Sequence, residues 1–184
     1  MRNIEISHIK EEDNDVVVDI LAEVFGFIDD REEIKRKISK RLNNNLSIKI
    51  SFNDKIVGCY LLGEKSINEF IRQISQNELK DFPRDQTKII NLPSNLSDNG
   101  LQGISLAILP DYRKLGLGKK MKQYVNGLNY DYTWGVQDKK LNNIDFWTKT
   151  REVFAESNTH FATYILKKTI SEKYKMKHLK NFSM

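Results

Sequence analysis

The chain has 184 residues, 39% of them hydrophobic, which is enough for one domain with a substantial core; no run of 18 apolar residues and no cationic, apolar and cleavable leader occurs, so neither a membrane span nor a secretory signal is expected. A single cysteine excludes an internal disulfide, and three scattered histidines offer no zinc spacing, so no metal is expected and a reducing, cytoplasmic setting is the default. The formal net charge of +5 suits an anionic ligand and leaves an acidic or nucleic-acid partner open, although a lysine-rich solvated surface is the preferred account of most of it.

Residues 3–8 (NIEISH) alternate and predict a first strand. Residues 11–25 set Val16, Val17, Ile20, Leu21, Val24 and Phe25 at helical spacing behind an acidic first turn, and Gly26 closes that helix. Asp29 and Asp30 can cap a second helix carrying Ile34, Ile38 and Leu42, which runs into Asn43, Asn44 and Asn45. Residues 46–52 and 55–62 alternate on either side of Asn53-Asp54 and predict a hairpin, with Cys59 as a small buried hydrophobe.

Residues 64–100 do not read as a plain connection between strands. Ile67, Phe70, Ile71 and Ile74 predict a helix over 66–79, with Ser66 and Glu69 as a capping box. Residues 81–100 carry Pro83, Pro93 and many Asn, Asp and Ser, a loop signature; a functional lid and a surface embellishment fit it equally. Further on, 131–136 predict a strand, 140–150 a short helix, and 151–156 and 160–168 two strands joined at Ser157-Asn158. Residues 169–184 form a basic tail.

The chain is organised around residues 101–125 (LQGISLAILPDYRKLGLGKKMKQYV). Ile104, Leu106 and Ile108 alternate with Ser105 and Ala107 as a buried strand, and Pro110 ends it because it cannot donate to a ladder. Arg113, Lys114, Leu115, Gly116, Leu117, Gly118 and Lys119 then open a helix. The first turn of a helix has N–H groups without partners and carries partial positive charge. Gly116 and Gly118 let an anion approach the main chain, and Arg113, Lys114, Lys119 and Lys120 surround it with cations, so this is read as a diphosphate-binding turn. A P-loop would need Gly at 113 and Ser or Thr at 120, and the dinucleotide fingerprint would need Gly or Ala at 121; the chain has Arg113, Lys120 and Met121.

The pattern that fits is R/Q-x-x-G-x-G/A behind a strand. It resembles the central motif of the GNAT family of acetyl-CoA-dependent N-acetyltransferases, matching 106–121 without a gap and including Pro110 and Tyr112. The element order β-α-α-β-β-insertion-β-α-β-α-β-β is similar to the family topology over residues 1–168. The resemblance implies an α/β (α+β) fold, a mixed, twisted central sheet flanked by helices, with 64–100 as a helical and loop insertion between the third and fourth strands. It implies acetyl-CoA as co-substrate, an amine acceptor, and no membrane partner; a homodimer is left open.

By the same resemblance, Leu106, Ala107 and Ile108 would line the pantetheine arm, and a backbone N–H there would polarise the thioester carbonyl. The family's acidic Tyr would fall at Trp147, and its upstream Asn at Lys140; an indole N–H donates but is no usable acid. Either Tyr132 or Tyr164 is then the candidate acid, or the CoA thiolate leaves without a dedicated one, and Glu64, ending a strand, is the candidate base. Asp29, Asp30 and Arg31 would lie by the acceptor groove, though a charged helix start explains them as well. Three functions are open: an acetyltransferase acting on a small amine, a toxin-like enzyme acting on a macromolecule such as aminoacyl-tRNA, or a silent acyl-CoA-binding module. An acyl group longer than acetyl also fits.

Overall fold

A computed structural model of the chain describes residues 3–26, 35, 36, 38, 45–92, 95–140 and 151–167. Eight strands lie among the described residues: β1 (Ile4–His8), β2 (Ile48–Phe52), β3 (Lys55–Glu64), β4 (Lys88–Ile89), β5 (Gly100–Ile108), β6 (Tyr132–Asp138), β7 (Glu152–Glu156) and β8 (His160–Leu166). Three α-helices accompany them, α1 (Asn14–Phe25), α2 (Ile67–Ser75) and α3 (Leu117–Asn126). The chain divides into two compact units, Met1–Gly63 with Gly103–Leu128, and Glu64–Gln102 with Asn129–Met184.

In the first unit the strands run β1-β2-β3-β5. β1 and β2 are antiparallel from Ile4↔Phe52 to His8↔Ile48. The expected hairpin joins β2 to β3, with Phe52 opposite Lys55. Its two loop residues are both left-handed, Asn53 at φ 49° and Asp54 at φ 64°. That is what a two-residue loop matching the strand twist requires, and Asn and Asp tolerate it better than most side chains. Val57 to Leu62 of β3 are buried without alternation, so both faces of this strand are covered. At Gly58 a Cβ would lie 2.4 Å from Ile108 Cδ1 and 2.7 Å from the Ala107 carbonyl oxygen, so only glycine allows the close approach of β5.

Helix α1 packs Val17, Val18, Ile20 and Leu21 against Cys59, Leu61 and Ala107. Burying each of these aliphatic side chains contributes about 2 kcal/mol relative to exposure. The buried arc is shifted from the expected stripe: Val16 and Phe25 stay exposed, and Val18 goes in. Three successive valines leave the helix phase open in the sequence, and packing against Cys59 and Leu61 settles it. Gly26, left-handed at φ 65°, closes the helix with its N–H on the Ala22 carbonyl, 2.9 Å away.

Asp13, 6% exposed, ties this unit together at the helix start. Both its carboxylate oxygens accept from Lys49 Nζ at 2.6 Å, and Oδ2 also accepts the Lys10 N–H at 2.7 Å. Burial alone would raise its pKa. The Lys49 hydrogen bond, the Lys10 N–H and the charges of both lysines outweigh that and hold it below the usual carboxylate value.

In the second unit the strands run β6-β8-β7-β4, each pair antiparallel. β6 and β8 pair without irregularity from Tyr132↔Leu166 to Asp138↔His160. The segment expected as loop over 81–100 also contains β4, two residues laid on β7, with the Ile90 N–H bonded to the Phe154 carbonyl at 2.7 Å. Two residues are too few to show strand alternation in a sequence. Helix α2 forms as expected: the Ser66 hydroxyl accepts the Glu69 N–H at 3.1 Å, which is one arm of the capping box. Its Ile67, Phe70 and Ile74 are buried with Phe82, Trp134, Phe154 and Tyr164. Phe70 packs on Trp134 at 4.9 Å between ring centroids and edge-on against Phe82 at 5.1 Å.

Of the expected second helix only Lys35, Arg36 and Ile38 are described, all helical, with Ile38 buried. Asp29, Asp30 and Arg31, the expected helix over 140–150 beyond Lys140, and the basic tail lie outside the described residues. Among the described residues no helix is long and apolar enough to cross a membrane.

The Asp13 pair gives a prediction. Its folded pKa lies below the unfolded one, so its contribution is complete above the carboxylate range and is lost as pH falls through the folded value. Asp13→Asn is expected to cost about 2 kcal/mol at neutral pH in denaturant unfolding. The wild-type and variant stabilities should converge once the carboxyl is protonated in acid.

Candidate functional site

The glycine turn is built by strand, break and helix in succession. After β5, residues Pro110–Tyr112 make one 3-10 turn, with the Arg113 N–H on the Pro110 carbonyl at 3.1 Å. Lys114 and Gly116 are both left-handed, at φ 63° and 77°, and the chain then enters α3 at Leu117. Gly116 is the N-cap and has no side chain to cap with, while the first intrahelical bond is Lys120 N–H to the Gly116 carbonyl at 3.1 Å. The N–H groups of Leu117, Gly118 and Lys119 therefore have no partner inside the helix. Leu117, Met121 and Val125 are buried and hold the helix in place.

The space over this turn is open. A Cβ on Gly116 would meet nothing within 4 Å, and one on Gly118 only Leu106 Cδ2 at 3.7 Å. Arg113, Lys114, Lys119 and Lys120 are all exposed around it, as is Leu115. Arg113 Nε donates to the Ile108 carbonyl at 3.1 Å and so ties the loop to the end of β5. Helix N–H groups without intrahelical partners, the helix dipole and four exposed cations make this turn a candidate anion site. The left-handed Lys114 carries no signal in the sequence, since neither Gly nor Asn stands there.

Leu106 and Ile108 are half-buried on β5 and Ala107 is fully buried. Cys59 is buried as expected; desolvation pushes its thiol up to about 12, against the opposing pull of a hydrogen bond with the Ala107 backbone. It stays protonated at neutral pH and is no nucleophile. Trp147 lies outside the described residues, and Lys140 is exposed.

The three catalytic candidates all fall in the second unit, in different surroundings. Tyr164 is 2% exposed within the aromatic core, and its hydroxyl donates to Glu152 Oε2 at 2.7 Å. Burial and then that carboxylate raise its pKa far above the ordinary phenol value. Tyr132 is 1% exposed, and its hydroxyl oxygen accepts the Ile67 N–H, the first orphan donor of α2, at 3.0 Å. Burial again raises its pKa. Both hydroxyls are committed to structure.

Glu64 is different, because it is exposed on an open cleft of about 390 Å³. Lys65, Ser66, Glu69, Asp98, Asn99, Gly100 and Tyr130 complete the lining. The Tyr130 hydroxyl donates to Glu64 Oε1 at 2.9 Å. Desolvation first, then Glu64, push that phenol up to about 12, so it keeps its proton at neutral pH. Sequence reasoning misses Tyr130, Glu69 and Asp98 because they come from three separate segments; only the capping-box position of Glu69 carries any signal.

The chain matches no protein-family model and no curated protein. It is similar in structure to the ribosomal-protein-S18-alanine N-acetyltransferase of Escherichia coli, with TM-score 0.57 and 9% identity over 89% of this chain and 94% of that one. It is similar to a GNAT-family acetyltransferase of Bacillus cereus, with TM-score 0.57 and 11% identity over 90% and 97%. It is also similar to the PaiA N-acetyltransferase of Thermoplasma acidophilum in complex with coenzyme A, with TM-score 0.54 and 14% identity over 89% and 99%. The fold is that of the GNAT acetyltransferases.

The Tyr132 hydroxyl yields a prediction about stability. Tyr132→Phe keeps the ring but leaves the buried Ile67 N–H without an acceptor. The expected loss is about 2 kcal/mol in denaturant unfolding, with α2 losing amide-exchange protection first.

Proposed function

We propose that this chain is an N-acetyltransferase that moves the acetyl group of acetyl-CoA to a primary amine by direct attack. The observation that carries the reading is the start of α3, where the first N–H groups have no intrahelical partner, Gly116 and Gly118 leave the surface open and four cations are exposed, on a fold shared with acetyltransferases. When bound, acetyl-CoA supplies an acyl group activated as a thioester. Leu117, Gly118 and Lys119 would hold the diphosphate through backbone N–H groups, with Arg113, Lys114 and Lys119 supplying charge. The backbone of Leu106, Ala107 and Ile108 would receive the pantetheine arm, and Trp147 is a further candidate for the coenzyme site. A β5 N–H aimed at the thioester carbonyl would stabilise the charge that develops there, by about 3 kcal/mol.

The attacking amine must be neutral, so a group of the protein takes up its proton. Glu64 is the candidate that faces open space, and its Tyr130 partner orients the carboxylate. Tyr132 and Tyr164 are poorly suited to protonate the departing thiolate, since both hydroxyls are buried and engaged. A thiol with an ordinary pKa of about 8.5 leaves without a dedicated acid. A lone buried thiol fits a reducing cytoplasm. The engaged tyrosines also favour a second reading, a module that binds acyl-CoA without transferring the acyl group.

Calorimetric titration with acetyl-CoA and with free CoA tests the reading. Binding in the micromolar range is expected, and Gly118→Trp, which sets an indole over the helix start, should abolish it. A well-folded chain that binds neither ligand would overturn both readings. Binding with no transfer across a broad amine panel that includes aminoacyl-tRNA and protein amines would favour the silent module.

A further inference from the structure

We propose that β1 is a self-association edge, onto which a second copy of this chain adds its own β1 in antiparallel fashion. β1 is the outermost strand of the first unit and is paired on one side only, with β2. The direction of its backbone groups follows from two bonds at its ends. The Asn53 N–H donates to the Asn3 carbonyl and the Ile9 N–H to the Ser47 carbonyl, each at 2.9 Å. Ladder bonds in an antiparallel pair alternate along the strand. Glu5 and Ser7 therefore turn their N–H and C=O groups toward β2, and Ile4, Ile6 and His8 turn theirs away from it. Among the described residues nothing hydrogen-bonds to those outward groups.

Strand edges are ordinarily blunted by proline, lysine, a bulge or extreme shortness. The far edge of the second unit is blunted in this way, since β4 has two residues and one of them is Lys88. β1 runs for five residues without proline or lysine, and its register with β2 is unbroken. The edge also carries apolar surface. Ile4 and Ile6 are half-buried, on the face they share with the buried Ile48 and Ile50 of β2. The His8 ring, on that face too, meets Tyr124 of α3 edge-on at 6.4 Å between centroids, and Tyr124 is 36% exposed.

The strand is complementary to itself. About a two-fold axis at Ile6, Ile6 meets Ile6 of the second copy and Ile4 meets its His8, so all the outward N–H and C=O groups are satisfied at once. Residues directly opposite share a face, so Ile4 and Ile6 of the two copies form one apolar row flanked by a Tyr124 from each. On the other face Glu5, the only carboxylate of the strand, meets Ser7 of the copy. Moving the axis to Glu5 would oppose two carboxylates, and moving it to Ser7 would run Ile4 past the end of the partner strand. Charge and length therefore select one register. An unrelated extended peptide would satisfy the backbone groups alone, whereas the copy also matches the side chains on both faces. One strand and its flanking side chains bury less area than a permanent dimer does, which sets the expected dissociation constant in the micromolar range.

The test is sedimentation velocity on the full chain from about 1 to about 500 µM, with residue-level amide exchange read by mass spectrometry at both ends of that range. A monomer–dimer equilibrium is expected. In the dilute sample the amides of Ile4, Ile6 and His8 should exchange quickly and those of Glu5 and Ser7 slowly; in the concentrated sample all of them should be protected. Ser7→Glu sets a carboxylate against Glu5 of the copy on both sides of the axis and should weaken the dimer about tenfold. Adding Glu5→Lys turns both contacts into opposite-charge pairs and should restore it. If either variant fails to fold, the exchange pattern of the parent still decides. A chain that stays monomeric throughout, a dimer whose outward amides exchange as fast as in the monomer, or a dimer indifferent to Ser7→Glu would overturn the proposal. None of these outcomes bears on the acetyltransferase reading, from which the inference is independent.

Discussion

Two side chains of β6, apolar in body and polar at the tip, hold the point where β3 gives way to α2. Trp134 donates its indole N–H to the Lys65 carbonyl, and the Tyr132 oxygen accepts the Ile67 N–H. They grip the chain on either side of Ser66, the residue that caps the helix. Buried aromatic rings supply most of the packing in this unit, and their polar tips must find partners once dry. Satisfying them here also settles where α2 begins and how its first turn faces. Glu64 lies just before the gripped residues and Glu69 just after, so the cleft inherits its shape from this pair of hydrogen bonds. Gly100 is part of the same constraint, since the Tyr132 ring occupies the space any side chain there would need.

Much of the fold is legible in the sequence, and the legible parts share a cause. The hairpin at Asn53-Asp54, the helix closed by Gly26, the Ser66 cap and the strand-to-helix turn at Gly116 all depend on neighbours within a few residues. Local chemistry determines local geometry in each case. The parts that cannot be read depend on partners distant in sequence. β4 exists because β7 is there to receive it. The phase of α1 depends on which valine faces Cys59 and Leu61, and Asp13 and Lys49 meet across 36 positions. The same distinction applies to function. The anion cradle is one continuous segment and is visible as a motif, whereas the acidic cleft draws on residues near 64, 98 and 130 that no spacing rule connects.

Net charge conceals this division. A value of +5 describes a mildly basic protein, but the charges are sorted by place. In the first unit, Arg113, Lys114, Lys119 and Lys120 gather at a helix start whose dipole has the same sign. In the second, three carboxylates share one cleft with a lysine turned toward an amide and an aromatic ring. Each concentration of like charge costs stability, and a ligand of opposite sign relieves it. Such sorting is invisible in the net charge, and added salt should screen both concentrations.

Cys59 has a practical consequence for following the chemistry. It is the only cysteine in the chain, it has no solvent exposure, and its thiol is held in the protonated form. A thiol-trapping dye added to native protein should therefore meet almost no background from the chain itself, which suits any assay that follows a thiol released in solution. The same dye acquires a second use when no substrate is present. Slow labelling then requires β3 to be uncovered, so its rate, compared with that in denaturant, reports how often the first unit opens. One atom of sulfur thus stays silent in the folded chain and serves as a clock for its local unfolding.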